Sequence, residues 1–417
     1  KLSIIKNYME TSQKAQIQYS SKYAISSNYY KYSIGQNKGL KRLNVLAQKK
    51  AIEDEFTNWV NEDETRKEKY GKALTLIKMG YSDPSAETAR EYMVEAMIRG
   101  PEIFMFAKRA RLLSELLENP KKNESRIKRM AEVLRKGLDR YFRNYDAETD
   151  RKIVSTLLKL YNDNVDPLYY PSFFAEVRSK YKGDFDKFTK KMFEKTIFAD
   201  KTEFEDFLDS PDFKTLKKDM AFQSSVSIFH EFNNISSIIE QTKPLRNKGE
   251  RLFLAGLMEM DKGKKFYPDA NSTMRLTYGK VLDYDPRDGV RYKYYTTLKG
   301  YIEKEIPGDM EFDVPEKLKE LYAAGDYGNY ADKDGTLHTC FITNNDITGG
   351  NSGSPVMNGR GELVGIAFDG NWEAMSGDIA FEPELQRCIN VDIRYVLWVI
   401  DKFAGASHLI DEMKIIQ

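Results

Sequence analysis

The sequence predicts an α+β chain in which a large helical domain is followed by a small β-rich domain. Three observations carry that prediction. Apolar residues recur at helical spacing through residues 1–265. From about residue 266 the text turns to short alternating and β-branched runs, separated by Gly, Pro, Asn and Asp. The closing stretch RYVLWVIDKF returns to helical spacing. A length of 417 residues exceeds what one ordinary core serves, which agrees with a division into domains at 1–265 and 266–417.

In the first domain, Leu40, Leu43 and Ala47, with Phe56 further on, form an apolar stripe. Pro101 opens the segment PEIFMFAKRARLLSELLENP and Pro120 closes it, with Phe104, Ala107, Leu112, Leu116 and Leu117 as its buried face. The next helix is ESRIKRMAEVLRKGLDRYFRNY, with a stripe of Ile127, Met130, Val133 or Leu134, and Leu138. RKIVSTLLKLYND and KFTKKMFEKTIF add lengths suited to antiparallel helices joined by short loops. Lysine-rich faces, such as the one with Lys217 and Lys218, read as solvated.

In the second domain, Met274, Leu276 and Tyr278 alternate, Gly279 interrupts, and Val281 and Tyr284 resume. Residues 291–303 are aromatic and β-branched. Strands are predicted at 338–343 (HTCFIT), 362–368 (ELVGIAF) and 388–393. A short amphipathic helix over RYVLWVIDKF and a last helix from about Ala406 end the chain.

Charge is nearly balanced, 65 Lys plus Arg against 64 Asp plus Glu, which gives no reason to expect a nucleic-acid or membrane-surface partner. No run of 18 apolar residues occurs, so no transmembrane helix is predicted. The two cysteines, Cys340 and Cys388, are compatible with buried free thiols or with one bridge. No metal-ligand cluster or phosphate loop stands out, so no cofactor is expected. The chain opens at Lys1 with no visible signal peptide and reads as a processed or excised piece of a longer protein.

The chemistry-bearing segment is TGGNSGSPVMNGRGELVGIAFDG, residues 348–370. Gly350-Asn351-Ser352-Gly353-Ser354-Pro355 resembles the nucleophile loop of chymotrypsin-like serine peptidases, usually GDSGGP. Such chemistry needs a serine hydroxyl projecting from a tight turn and two backbone N–H groups aimed where the substrate carbonyl oxygen becomes negative. Ser352 is therefore the candidate nucleophile, and the N–H groups of Gly350 and Ser352 are the candidate oxyanion donors. Glycine at 350 lets the backbone turn inward without a Cβ. Ser354 stands where the pattern has its second glycine and is set aside. Asn351 replaces the usual aspartate, which argues against activation by a newly cleaved N-terminus. The strand GELVGIAFDG supplies the pocket wall that must run back past the nucleophile.

A serine nucleophile also needs a base and an orienting carboxylate. The chain has three histidines. His230 lies in a helical context, His338 in a strand, and His408 in the terminal helix. None sits in a pattern that marks a base, and no aspartate is assigned. The expectation is half of a triad.

The run GNSGSPVMNGRGELVGIAFDGNWEAMSGDIAF, followed by RCINVDIRYVLWVIDKFAGA, resembles the bacterial dipeptidyl-peptidase 7 and dipeptidyl-peptidase 11 family. The early segment KYAISSNYYKYSIGQNKGLKRLNV resembles the same family, and the likeness runs over essentially the whole chain. The resemblance implies a helical domain inserted in the catalytic domain, followed by the second β-barrel of a double-barrel peptidase. The first barrel, with the catalytic histidine and aspartate, would be absent from this chain, leaving it inactive alone. The intact enzyme would be a homodimer of the periplasm or outer surface of a Gram-negative bacterium, releasing N-terminal dipeptides from peptides.

By the same resemblance, Asn28 in SSNYYK and Asp369 in FDGNWE would hold the substrate ammonium. Gly370 would border the specificity pocket and favour a hydrophobic penultimate residue, since arginine at that place accompanies acidic substrates. Without the resemblance, Asn28 reads as a cap or turn residue and Asp369 as a turn residue. Phe368 and Trp372 line the cleft or belong to the core. Two other readings compete: an endopeptidase of the same mechanism with an open cleft, and a non-catalytic helical interaction module with a degenerate peptidase domain.

Overall fold

The computed structural model describes residues 1–268, 271–309 and 311–416. They divide into two compact units, residues 1–28 with 53–265 and residues 29–52 with 266–417. The helix Gln13–Arg42 supplies residues to both.

The first unit is helical. The segment between Pro101 and Pro120, expected as one helix, forms two, Ile103–Lys108 and Arg111–Leu117. Between them the Arg109 and Ala110 N–H groups reach the carbonyls of Phe106 and Ala107, three residues back, so the turn tightens and the face rotates. Leu113 is buried in consequence, while Leu112 is 44% exposed. Pro120 opens the next helix, Pro120–Arg135, where its missing N–H costs no bond. In that stripe Ile127, Ala131 and Leu138 are buried, Leu134 packs against the core, and Val133 faces solvent.

Aspartates cap many of these helices: Asp146, Asp184, Asp200, Asp212 and Asp219 each accept an N–H from the first turn. Helix Ile103–Lys108 lacks a local cap. Asp150, 1% exposed, substitutes for it by accepting the N–H groups of Glu102 and Ile103, each at 2.9 Å. Burial, and next the Glu102 charge, push the Asp150 carboxyl up to about 7. Aromatic packing fills this core, with Phe106 stacked on Tyr141 at 3.9 Å between ring centres. The long helix Met220–Met260 runs against Ala73–Gly80. Gly249 permits the approach, because a Cβ there would fall 2.7 Å from the Ala73 carbonyl oxygen.

The second unit contains the sheets. Its strands are β1 (Tyr284–Arg287), β2 (Val290–Tyr292), β3 (Tyr295–Thr297), β4 (His338–Thr343), β5 (Pro355–Met357), β6 (Leu363–Gly370) and β7 (Cys388–Asp392). β1 and β2 form a separate hairpin, and the main sheet has the order β3-β4-β7-β6-β5, antiparallel throughout. This sheet is open, which overturns the expected β-barrel: β3 and β5 are three-residue edges that do not pair with each other. The residues expected to extend it do not. Met274, Leu276 and Tyr278 are 100%, 86% and 85% exposed and form no strand, and that region touches the sheet through an isolated Val281–Thr343 bridge. Closure needs a continuous ring of paired strands, and this alternation finds no partner.

Helix Ile393–Trp398 follows β7 and continues as a wider π-helical turn, Val399–Phe403. Trp398 is fully buried with Leu298, Val314, Leu318 and Leu337, and its indole N–H donates to the Asp326 carbonyl at 2.9 Å. Helix Ser407–Asp411 comes last. Both cysteines are free. β4 and β7 are neighbours, but their register sets Cys340 opposite Val391 and Cys388 opposite Thr343. Among the described residues no helix is long and apolar enough to cross a membrane.

Candidate active site

Ser352 sits in the loop between β4 and β5, which is shaped by two residues with positive φ, Gly350 at 105° and Gly353 at 84°. Asn351 holds the turn from both ends. Its Oδ1 accepts the Thr348 N–H at 3.1 Å, and its own N–H donates to the Thr348 carbonyl at 3.2 Å. The Gly353 N–H donates to the Ala367 carbonyl (2.8 Å) and the Ala367 N–H to the Ser354 carbonyl (3.0 Å), which stitches the loop to β6. Ser352 is exposed, and its Oγ donates to the Phe368 carbonyl at 3.3 Å. Among the described residues the N–H groups of Gly350 and Ser352 have no protein acceptor, whereas those of Asn351, Gly353 and Ser354 do.

β6 has an irregular register between Ala367 and Asp369. Phe368 falls in that irregularity and has no partner on β7, so Phe368 and Asp369 are consecutive exposed residues. The Asp369 carboxylate accepts the Gly370 N–H at 2.8 Å and makes no ion pair among the described residues. Gly370 pairs with Cys388 at the strand end. A Cβ at 370 would fall 3.0 Å from Ala374 Cβ and 3.6 Å from Met375 Cε, so the turn Trp372–Ser376 lies directly against it. Phe368 and Trp372 are not core residues, at 45% and 53% exposed.

Sequence reasoning missed the residues that fix that turn. Asn371 is buried; its Oδ1 accepts the N–H groups of Ala374 and Arg387, and its Nδ2 donates to the Leu385 carbonyl. Arg387 is buried too, and its guanidinium donates to the carbonyls of Asp283, Pro383, Glu384 and Gln386. An Asn just after the FDG triplet was the one available signal, since Asn caps short helical turns. Nothing in the sequence marks Arg387.

Ser352, Gly350, Asp369 and Gly370 are thus gathered around β6 and its flanking loop. Asn28 is exposed on helix Gln13–Arg42 and belongs to the first unit.

The expectation that the chain lacks a histidine and aspartate pairing is overturned at His338. This residue is 4% exposed, opens β4, and stacks on Tyr295 at 3.9 Å. Its Nδ1 lies 3.5 Å from Asp332 Oδ2 and its Nε2 3.5 Å from Asp334 Oδ2. Arg394 joins from the helix after β7, with Nη1 2.5 Å from Asp332 Oδ2 and Nη2 2.7 Å from Asp392 Oδ2. The hydrogen bond from Arg394 holds the Asp332 carboxyl below its ordinary range. The spacing of Asp332, Asp334 and His338 was readable, but their convergence comes from the turn before β4, in which the Asp332 N–H donates to the Thr336 carbonyl. His230 is exposed beside a groove of about 420 Å³ that Lys108 and Phe229 also line, and His408 is exposed near the C-terminus.

A glycine-flanked serine turn with unpaired N–H groups beside a strand of an open antiparallel sheet, in a chain with a large helical unit, is compatible with a serine hydrolase. The chain belongs to the Peptidase S46 family, whose model matches residues 1–415. It is 41% identical over 420 residues to dipeptidyl-peptidase 7 of Phocaeicola vulgatus, covering 99% of this chain and 57% of that protein. It is 36% identical over 405 residues to an Asp/Glu-specific dipeptidyl-peptidase of Porphyromonas gingivalis, covering 96% of this chain and 55% of the relative. The crystal structure of Porphyromonas endodontalis DPP11 in complex with the dipeptide Arg-Glu matches with a TM-score of 0.88 at 32% identity, over 99% of this chain and 58% of that one. The chain therefore spans a little over half the length of the relatives it matches. These relatives come from Gram-negative bacteria.

The expectation of a hydrophobic penultimate residue does not stand. Porphyromonas endodontalis DPP11 structures that match include two holding dipeptides that end in Glu or Asp, and Asp/Glu-specific relatives match nearly the whole chain. Locally, the absence of a side chain at 370 does not by itself make an open pocket, because Ala374 and Met375 stand against it.

Proposed function

We propose that the protein is a serine dipeptidyl peptidase that removes dipeptides from peptide N-termini, with Ser352 as nucleophile, in the periplasm or at the outer surface of its cell. Ser352 Oγ attacks the carbonyl carbon of the second substrate residue while a base takes its proton. The oxygen that becomes negative is met by the N–H groups of Gly350 and Ser352. The C–N bond breaks, the proton passes to the leaving amine, and water then releases the dipeptide from Ser352. Asp369, which makes no ion pair among the described residues, receives the substrate ammonium.

The observation that carries this reading is the Ser352 turn, where the two N–H groups needed for an oxyanion have no protein acceptor among the described residues. The experiment uses the full-length enzyme with dipeptidyl reporters, free or acetylated at the N-terminus. Release from the free reporter, abolished by acetylation and by Ser352→Ala, is the expected result. Equal cleavage of both reporters would instead mark an endopeptidase. Reporters ending in Glu and in Leu, run side by side, measure the charge preference.

A further inference from the structure

We propose that Met375 sets the room available to the penultimate substrate residue beside Gly370, with Gly35 holding its side chain in place. The inference rests on the reading of Gly370 as a wall of the specificity pocket.

The sequence contributes two glycines four residues apart, Gly35 and Gly39, which share one face of helix Gln13–Arg42. With no Cβ on that face, the turn Trp372–Ser376 packs directly on the helix backbone. A Cβ at Gly35 would fall 2.5 Å from Met375 Cγ and 3.1 Å from Trp372 Cε3. A Cβ at Gly39 would fall 2.2 Å from the Oγ of the buried Ser376. Arg42 closes the contact with an ion pair to Glu382.

Asn371 fixes the turn from the other side through the backbone of Ala374, Leu385 and Arg387. Met375 is therefore anchored at its root against Gly35, while its methyl reaches the space in front of Gly370. Ala374 Cβ, a group too short to move, and the Arg387 carbonyl oxygen also stand there, 3.0 and 3.8 Å from where a Cβ at 370 would lie. Methionine is unbranched and flexible, so its outer atoms are the adjustable part of this wall. The absence of a side chain at 370 opens only the volume that Met375 leaves. The same limit applies to acidic and to apolar substrate side chains, because it is one of size.

The test uses the full-length enzyme and dipeptidyl reporters that share the first residue and carry Ala, Leu, Phe or Glu at the second. Met375→Ala is expected to raise kcat/KM for the Phe reporter relative to the Ala reporter by about tenfold, the scale of a few methylenes in a pocket. Gly35→Ala, whose methyl would collide with Met375, is expected to shift the ranking the opposite way. A loss of equal factor on every reporter would mean that Met375 is only structural, and the proposal would fall. If Met375→Ala is not folded by thermal unfolding, Met375→Val and Gly35→Ala carry the same comparison, with the same outcomes. A wild-type enzyme that releases no dipeptide sinks both this inference and the proposed function. One that releases dipeptides with a ranking indifferent to all these variants sinks the Met375 assignment alone.

Discussion

Ser352 Oγ donates its hydrogen bond to the carbonyl of Phe368, the residue that falls in the register irregularity of β6. The Ser352 hydroxyl is thus parked on backbone, and the carbonyl that holds it immediately precedes the exposed Asp369. An arrangement that ties Ser352, Phe368 and Asp369 to one irregular strand makes the turn geometry itself testable.

Gly350→Ala should lower kcat by about 10²- to 10³-fold, the effect of losing one oxyanion donor. The cause is the φ of 105°, which an L-residue adopts only with strain of about 1–3 kcal/mol. There is open space around the position, so no clash contributes. Steady-state kinetics and thermal unfolding of the full-length variant check this: Tm should fall slightly and kcat greatly.

Asp369→Ala should raise KM for dipeptidyl reporters with a free N-terminus. Loss of the partner of a bound ammonium costs roughly 2–5 kcal/mol. Asp369→Asn keeps an acceptor for the Gly370 N–H, so it separates the charge from the local hydrogen bond. A change in kcat/KM under about threefold for either variant would remove Asp369 from the site.

Two carboxylates should respond to pH with opposite signs. Asp150 has a folded pKa of about 7 against an ordinary 3.8, so the folded state binds its proton more tightly than the unfolded one. Its contribution to stability is full below the unfolded value and is lost as pH rises toward 7. Asp332 has a depressed folded pKa, caused first by Arg394, so its contribution is present above the unfolded value and is lost as acid protonates it. Urea unfolding from pH 3 to 8 should show that Asp150→Asn flattens the decline between about pH 4 and 7, while Asp332→Asn flattens the acid limb below about pH 4. Unchanged slopes would refute the assignment.

The parts of this protein that could be read in advance are those where local pattern and tertiary environment agree. HTCFIT became β4 over the predicted residues because it lies between β3 and β7 and is buried along most of its length. The alternation of Met274, Leu276 and Tyr278 is as regular, yet it forms no strand, since a strand requires a partner that a single sequence does not specify. Leu112 and Leu113 exchanged roles because a tightened turn at Arg109 and Ala110 rotated the helix by less than periodicity can register. At the candidate site, Ser352 and its glycines were legible because a turn with positive φ leaves its mark in residue type. Met375, Asn371 and Arg387 were not, because their importance lies in what they touch: a missing Cβ on a distant helix, and backbone carbonyls from four separate residues.

The unbridged cysteines turn the sheet into its own reporter of motion. Cys388 lies in β7 at 2% exposure, with Sγ 3.2 Å from Asn390 Oδ1, and burial pushes its thiol up to about 11. While β7 stays paired it is both hidden and protonated, whereas a thiol reagent needs an accessible thiolate. Modification must therefore wait for β7 to separate from β4 or β6. With Cys340 replaced by serine to silence the more accessible thiol, the labelling rate at Cys388 times that separation directly, and a tightly bound peptide alongside β6 would slow it.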